Sequence, residues 1–317
     1  MQCSLKLLLK DGQGSAEITF TECLGFVYEK ALYVPYTKFS GVFFYDGNAD
    51  ISACDVLRVD AALDNVNIHC GMPDSVTVER YGYGRRIRVT SRGYTLLLAQ
   101  NEPYPRINTN VTLRSLCTAN LVHSKIDYEM PTPVVSNVYV KEGSTVWEAA
   151  VAYCIKASGN YPYIRRKNTV MMTTAGAGTV DHSRCTVTRH FDSIDSSMVL
   201  SDVYMQGLDD TYPYEAHDSS AAEMEIVRTR YYPLDMQWLY DPQEGLQHKL
   251  DYSNRAVRAE GMTYEGWRHE DIMYKASGGL LSGRRINRLR ITGGRKGVFT
   301  TVWAYDDRYG QREEEQG

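Results

Sequence analysis

Short runs of alternating apolar and polar residues fill the first 90 positions. Leu5-Lys6-Leu7-Leu8, Glu17-Ile18-Thr19-Phe20, Val42-Phe43-Phe44-Tyr45, Val56-Leu57-Arg58-Val59, Val66-Asn67-Ile68-His69, Val76-Thr77-Val78-Glu79 and Arg86-Ile87-Arg88-Val89-Thr90 each read as a strand. Turn residues separate several of them: Asp11-Gly12, Asp46-Gly47-Asn48, Gly71-Met72-Pro73-Asp74 and Tyr81-Gly82-Tyr83-Gly84. Strands at this spacing predict a sandwich or small barrel. The stretch from Asp55 to Glu79 reads as a meander.

The pattern changes at Val89–Pro105, VTSRGYTLLLAQNEPYP. A strand leads into an apolar run, Tyr94 to Ala99, and then to two prolines, which fix φ and extend the residues before them. This stretch is expected to join a β domain to a middle α/β domain. The plainer alternative is a strand and loop inside one larger domain. Beyond it, Leu113, Leu116 and Leu121 predict a short helix after Thr112. A clearer helix is predicted over Thr145–Ser158. Thr145 and Glu148 form a capping box, Val146, Ala149, Ala150, Tyr153, Cys154 and Ala157 share one face, and Gly159 stops it. Tyr163-Ile164 and Val170-Met171-Met172 predict a hairpin around Arg165-Arg166-Lys167-Asn168.

From residue 179 the β pattern returns. Strands are predicted within Cys185–His190, Met198–Met205 and Glu223–Tyr231, and a helical turn over Arg255–Glu260. Ile286–Thr292 and Val298–Tyr305 form a hairpin about a Gly-rich turn. The division this gives is a first β domain at 1–98, a middle α/β domain at 99–178, and a second β domain at 179–317 with an inserted mixed segment at about 241–283. The fold class is α+β, mainly β. The tail after Arg312 is charged and expected to fray.

Composition adds limits. Apolar residues make up 43% and charged residues 23% of the 317, enough for a sizeable core. The formal net charge of -4 argues against general nucleic-acid binding. Tyrosines number 24 against 7 phenylalanines, which suits half-buried surfaces and interfaces. The seven cysteines form no CxxC pair, so a reducing compartment is expected rather than a disulfide framework. No apolar run reaches membrane-spanning length, roughly 18 residues, and the start, MQCSLKLLLKDGQGS, has too short an apolar core for a secretory signal.

Chemistry-bearing patterns are sparse. There is no GxSxG, HExxH, P-loop or dinucleotide fingerprint. His182 and Cys185 could share a metal, but zinc needs about four ligands and no second pair is near. Asp209-Asp210 and Asp306-Asp307 are adjacent, so on a strand their carboxylates would diverge, and turns are the simpler reading. No catalytic residue, cofactor or metal ligand is nominated. The strongest charge feature is Arg284, Arg285, Arg288, Arg290, Arg295 and Lys296. It reads either as a solvated face balanced by nearby acids, or as an electropositive edge at a subunit or tube contact.

Several stretches resemble one family. Ser91-Arg92-Gly93-Tyr94-Thr95-Leu96-Leu97-Leu98 followed by Gln100-Asn101-Glu102-Pro103 is similar to baseplate hub proteins of long-tailed phages and phage tail-like particles, of the XkdQ/YqbQ-like and late-control-D types. Tyr33–Gly41, Asp55–Pro73 with His69-Cys70-Gly71, and Gly143–Thr174 with Trp147-Glu148 and Tyr161-Pro162 fit the same family. The resemblance covers residues 30 to 175; beyond 180 only β character and length agree.

This resemblance implies two similar β-barrel domains flanking a small LysM-like middle unit. It also implies a homotrimer whose pseudo-sixfold ring adapts a sixfold tail tube to a threefold central spike. The implied partners are further copies of the chain, a tail tube or distal tail protein, the spike, a tape-measure protein and baseplate wedge proteins. The implied setting is a virion tail baseplate or bacteriocin-like particle, assembled in the host bacterial cytoplasm. No appended hydrolase or peptidase domain follows the second β region, so any wall hydrolase is expected on a separate chain. The competing readings are a LysM-like peptidoglycan-binding tail protein, centred on Thr145–Thr174, and a tail-associated cell-wall hydrolase.

Overall fold

The computed structural model describes residues 1–11, 14–46, 51, 55–82, 84–173 and 177–306. The chain is mainly β. Strands β1 (Cys3–Asp11), β2 (Gly14–Phe20), β3 (Cys23–Ala31), β4 (Lys38–Tyr45), β5 (Asp55–Leu63), β6 (Val66–Tyr81) and β7 (Gly84–Gly93) come first. They share one eleven-stranded sheet with β14 (Val187–Ile194), β18 (Arg258–Glu265), β20 (Arg288–Gly294) and β21 (Gly297–Tyr305). The order is β14-β18-β21-β20-β3-β4-β7-β6-β5-β1-β2.

This corrects the expected pair of barrels, because among the described residues no sheet closes. Both β regions belong to one open sheet, joined where β20 pairs antiparallel with β3, Arg288 opposite Ala31 through to Gly294 opposite Gly25. The two regions also share a core. Leu5, Leu7, Phe39, Phe43 and Ile87 from the first region and Met262, Tyr264, Ile291 and Val302 from the second lie in one buried cluster. The sheet curls back at its far end, where Phe20 of β2 packs edge-on against Tyr45 of β4 with ring centroids 5.9 Å apart. Alternation explains the burial: Leu5, Leu7 and Leu9 face inward while Lys6 and Leu8 do not.

The same strand order occurs twice. Numbering strands within each half, first-second-fourth-third describes both β3-β4-β7-β6 and β14-β18-β21-β20. A register shift interrupts the first pair at matching places, between Cys23 and Gly25 and between Val187 and Arg189.

Three local expectations change. Gly71-Met72-Pro73-Asp74 is no turn, because β6 runs straight through it. There the strand leaves β5 and joins β7, with a register shift between Pro73 and Ser75, and a proline is tolerated at such an irregular edge position. Residues 223–231 are not one strand: a short helix α4 (Ser219–Glu223), capped by Asp218, precedes β17 (Thr229–Tyr232). Arg258–Glu260 opens strand β18, where a helical turn was expected. The expected turns at Asp11-Gly12, Asp46-Gly47-Asn48 and Tyr81–Gly84, along with Cys54, Asp307 and the tail, lie partly or wholly outside the described residues.

The apolar run after β7 forms a short helix, α1 (Leu96–Gln100). It packs with β8 (Arg106–Val111), α2 (Leu113–Thr118), β9 (Asp127–Tyr128), β10 (Val135–Val140), α3 (Val146–Ser158), β11 (Tyr163–Arg165) and β12 (Thr169–Met171). Leu98, Leu113, Val138, Ala150, Tyr153 and Val170 share this unit's core. The caps agree with the sequence. Thr145 accepts from the Glu148 N–H at 3.2 Å, the Thr145 N–H donates to Glu148 at 2.6 Å, and Gly159 takes φ 70°. Thr112 caps α2 in the same way.

In the second β region β13 (Thr179–Asp181) pairs with β19 (Lys275–Ser277). The main sheet is interrupted between β14 and β18, at residues 195–257, rather than at 241–283. That segment holds β15 (Asp202–Met205), β16 (Tyr214–His217), α4, β17 and α5 (Pro242–Ser253) around Leu200, Val203, Met205, Ala216, Leu246 and Leu250.

Candidate assembly surface

The basic run falls on the β20–β21 hairpin. Leu289 and Ile291 are buried, so Arg288 and Arg290 project from the opposite face. Ile286 is buried as well. β20 lies inside the sheet between β21 and β3, so the expected electropositive edge is instead part of a sheet face. Its charges are largely answered. Arg290 Nε lies 3.3 Å from Glu29 Oε1 across the junction. The Arg288 guanidinium sits 4.7 Å over the Trp303 ring. Arg284 lies 3.7 Å from Glu260, and Arg285 donates to the Met273 carbonyl at 3.2 Å. Arg295 and Lys296 form the exposed two-residue turn.

The same outward face continues onto β7. Arg88 pairs with Glu79 at 3.4 Å and Arg92 with Asp74 at 2.8 Å. Such half-exposed pairs contribute about 0–1 kcal/mol each and set charge pattern more than stability. Beside Arg288 a cleft of about 510 Å³ carries both signs, with Glu29, Lys38, Asp195 and Arg255 on its walls.

Under this face lies a buried polar junction. Lys30 Nζ meets Asp271 Oδ1 at 2.5 Å with both side chains almost wholly buried. The other Asp271 oxygen accepts from the Arg166 N–H at 3.0 Å, and the Arg166 guanidinium lies 3.5 Å away. Burial pulls the Lys30 ammonium below its usual range, and Asp271 opposes that shift. Next to it, burial raises the Glu270 carboxyl, which accepts from the Tyr264 hydroxyl and, at 3.0 Å, from the Arg268 N–H.

A second buried knot holds the β11–β12 turn to the sheet. Asn168, at φ 58°, donates to the Cys70 carbonyl at 2.9 Å. His69 lies between Thr37 Oγ1 at 2.9 Å and Ser91 Oγ at 2.8 Å. Ser91 donates its own hydrogen to the Met72 carbonyl at 2.7 Å. It must therefore accept from Nε2–H, which leaves Nδ1 to accept from Thr37. Burial pushes the His69 pKa down to about 3.

These residues lie far apart in sequence; Thr37, His69, Cys70, Met72, Ser91, Arg166 and Asn168 fall within stretches quoted from the sequence, whereas Lys30, Glu270 and Asp271 drew no notice there. His182 and Cys185 flank one turn. His182 is buried against Tyr264 with its ring centroid 5.4 Å away, and burial lowers its pKa to about 4. Cys185 follows in the same turn, its N–H donating to the His182 carbonyl at 3.2 Å. Among the described residues no three His, Cys, Asp or Glu side chains converge to hold a metal. Asp209 and Asp210 occupy a turn, accepting from Thr211 and Gln206. No helix among the described residues is long and apolar enough to cross a membrane.

The middle unit and the segment interrupting the sheet face each other across a cleft of about 350 Å³. Ile155 of α3, Trp238, Tyr161 and Tyr252 line it together with Gln237, whose Nε2 has no partner among the described residues.

An open sheet with a duplicated strand order, an α/β unit between its halves and a further unit inside the second half is a fold found in phage tail proteins. The tail protein from Neisseria meningitidis MC58 matches with TM-score 0.65 at 14% identity, over 96% of each chain. The 43 kDa tail protein of prophage MuSo2 from Shewanella oneidensis matches with TM-score 0.64 at 14% identity, over 94% of this chain and 97% of its own. The E. coli c3393 protein, a type VI secretion component described as similar to the T4 tail proteins gp27 and gp5, matches with TM-score 0.51 at 11% identity, over 91% and 75%. No protein-family model and no curated protein sequence matches the chain. At these identities the likeness establishes a shared fold.

Proposed function

We propose that the protein is a structural hub in the baseplate of a phage or phage tail-like particle and acts by assembly rather than catalysis. In this reading three copies close a ring that adapts a sixfold tail tube to a threefold central spike. The tube or distal tail protein, the spike, the tape-measure protein and the baseplate wedges are its neighbours, and it is assembled in the host cytoplasm. The observation that carries the reading is the match to tail proteins along nearly the whole of both chains. The twofold use of one strand order supports it, since two like units per copy would give three copies six similar sheet segments. Native mass spectrometry and negative-stain microscopy of the purified chain test it. A concentration-dependent trimeric ring is expected, and a chain that stays monomeric alone and with tube and spike proteins would refute it.

A peptidoglycan-binding reading has one feature in its favour, the aromatic cleft between α3 and Trp238. Retention of the full chain on purified peptidoglycan, lost in Trp238→Ala, would support it.

A further inference from the structure

The junction between β20 and β3 inside one chain joins the third strand of one half of the sheet to the first strand of the other. Each half of the main sheet contains a hairpin between its third and fourth strands, whose innermost pairs are Gly294 opposite Gly297 in one and Tyr81 opposite Gly84 in the other. Aligning the hairpins on these pairs equates Thr77 with Arg290 and Arg88 with Thr301. Following the register outward equates Val42 with Thr263 and Gly25 with Arg189. The register shifts before Gly25 and before Arg189 then coincide.

In one half the first strand, β3, is covered along its outer edge by β20. In the other the first strand, β14, pairs among the described residues with β18 alone. Seven of its eight residues are exposed, Phe191 being the exception. Part of the third strand β6 is likewise laddered on one side. Its pairing with β5 ends at Gly71, so among the described residues Ser75–Tyr81 pairs only with β7. Free strand edges carry unpaired N–H and C=O groups and are templates for another strand.

The backbone parity also agrees. The Leu32 N–H donates to the Asn287 carbonyl at 2.8 Å, so even-numbered residues of β3 point toward β20. The Asp195 N–H donates to the Val257 carbonyl at 2.8 Å, so odd-numbered residues of β14 point toward β18. His190, Asp192 and Ile194, the equivalents of Phe26, Tyr28 and Lys30, therefore point away from it.

We propose that β14 of one copy pairs antiparallel with Ser75–Tyr81 of β6 in a second copy, with Thr77 opposite Ser193 and Val76 opposite Ile194. The inference rests on the ring reading above and names its contact. Ile194, 63% exposed in the single chain, would then cover Val76 and Val78, which are partly buried against the core. The interface is head-to-tail, so it closes when the rotation between copies divides a full turn.

The test uses the full chain carrying Thr77→Cys and Ser193→Cys, a directly opposed, non-hydrogen-bonded pair with the short side-chain separation a disulfide needs. Each single variant, and Thr77→Cys with Thr188→Cys, are controls. Mild oxidation should give a covalent closed trimer from the in-register pair alone. Ile194→Asp, at an exposed site, should raise the dissociation constant about tenfold or more while leaving the thermal melt unchanged. An open ladder of cross-linked species would support the pairing and overturn the closed ring. A trimer that neither cross-links in this register nor responds to Ile194→Asp would overturn the pairing and leave the ring standing. A chain monomeric under all conditions overturns both.

Discussion

Replacing Lys30 by Met tests whether the junction around Asp271 holds the two β regions and the middle unit together. At 2.5 Å and an effective dielectric of about 20, the gross attraction between Lys30 and Asp271 is roughly 7 kcal/mol. Desolvating two buried ions costs several kcal/mol each, so the intact pair nets close to zero. Removing one partner is different, because it strands a buried charge at about 3–5 kcal/mol. Asp271 keeps the Arg166 N–H, the nearby guanidinium and the Ile272 N–H at 2.8 Å, which places Lys30→Met near the lower end, about 3 kcal/mol. Lys30→Met with Asp271→Asn removes both charges and keeps an acceptor for one of the two N–H groups, Arg166 on Oδ2 or Ile272 on Oδ1, while the amide nitrogen faces the other, so part of the loss should return. Urea unfolding followed by far-UV circular dichroism measures both variants. If the double variant is no more stable than Lys30→Met, the stranded-charge argument fails.

Three further outcomes follow from the same geometry. His69 and His182 are held neutral with pKa values pushed down to about 3 and about 4, so each contributes stability that is fully present above its unfolded pKa near 6.5. As pH falls below that value each should lose roughly 1.4 kcal/mol per pH unit until its folded pKa is reached, and His69→Gln should flatten the slope of stability against pH between 6 and 4. Gly93→Ala should cost about 1–3 kcal/mol and loosen the middle unit, because the added Cβ would stand 2.7 Å from Asn168 Oδ1 and 2.8 Å from Thr37 Oγ1. Proteolysis within 101–173 reads this out, and a wild-type digestion rate would remove the idea that Asn168 anchors the unit. Arg288→Glu with Arg290→Glu should cost only about 1–2 kcal/mol of folding stability, since the face is half-exposed, but should weaken assembly or tube binding in co-sedimentation. Unchanged assembly would show that this face makes no such contact.

Local physics was legible in the chain. Thr145, Glu148 and Gly159 bracket α3 because capping is decided within four residues. The β20–β21 hairpin and the face of Arg288 and Arg290 follow from a two-residue turn and strict alternation. Strand β3 was missed although Cys23–Ala31 alternates, and Gly71–Asp74 looked like a turn because glycine and proline mark irregular backbone without saying whether the chain reverses there or changes partner. The buried junction left no local mark: Lys30 and Asp271 are 241 positions apart, and in sequence each is an ordinary surface-type charge.

By itself the sequence determined a mainly β chain with a capped α/β unit in its middle, because periodicity, caps and turns act over a few residues. Only the tertiary structure decided that the two β regions share one sheet, that Arg290 meets Glu29 inside it, and that among the described residues β14 and part of β6 pair with a strand on one side. Strand partners are chosen by long-range register and shared burial, which short-range pattern does not encode.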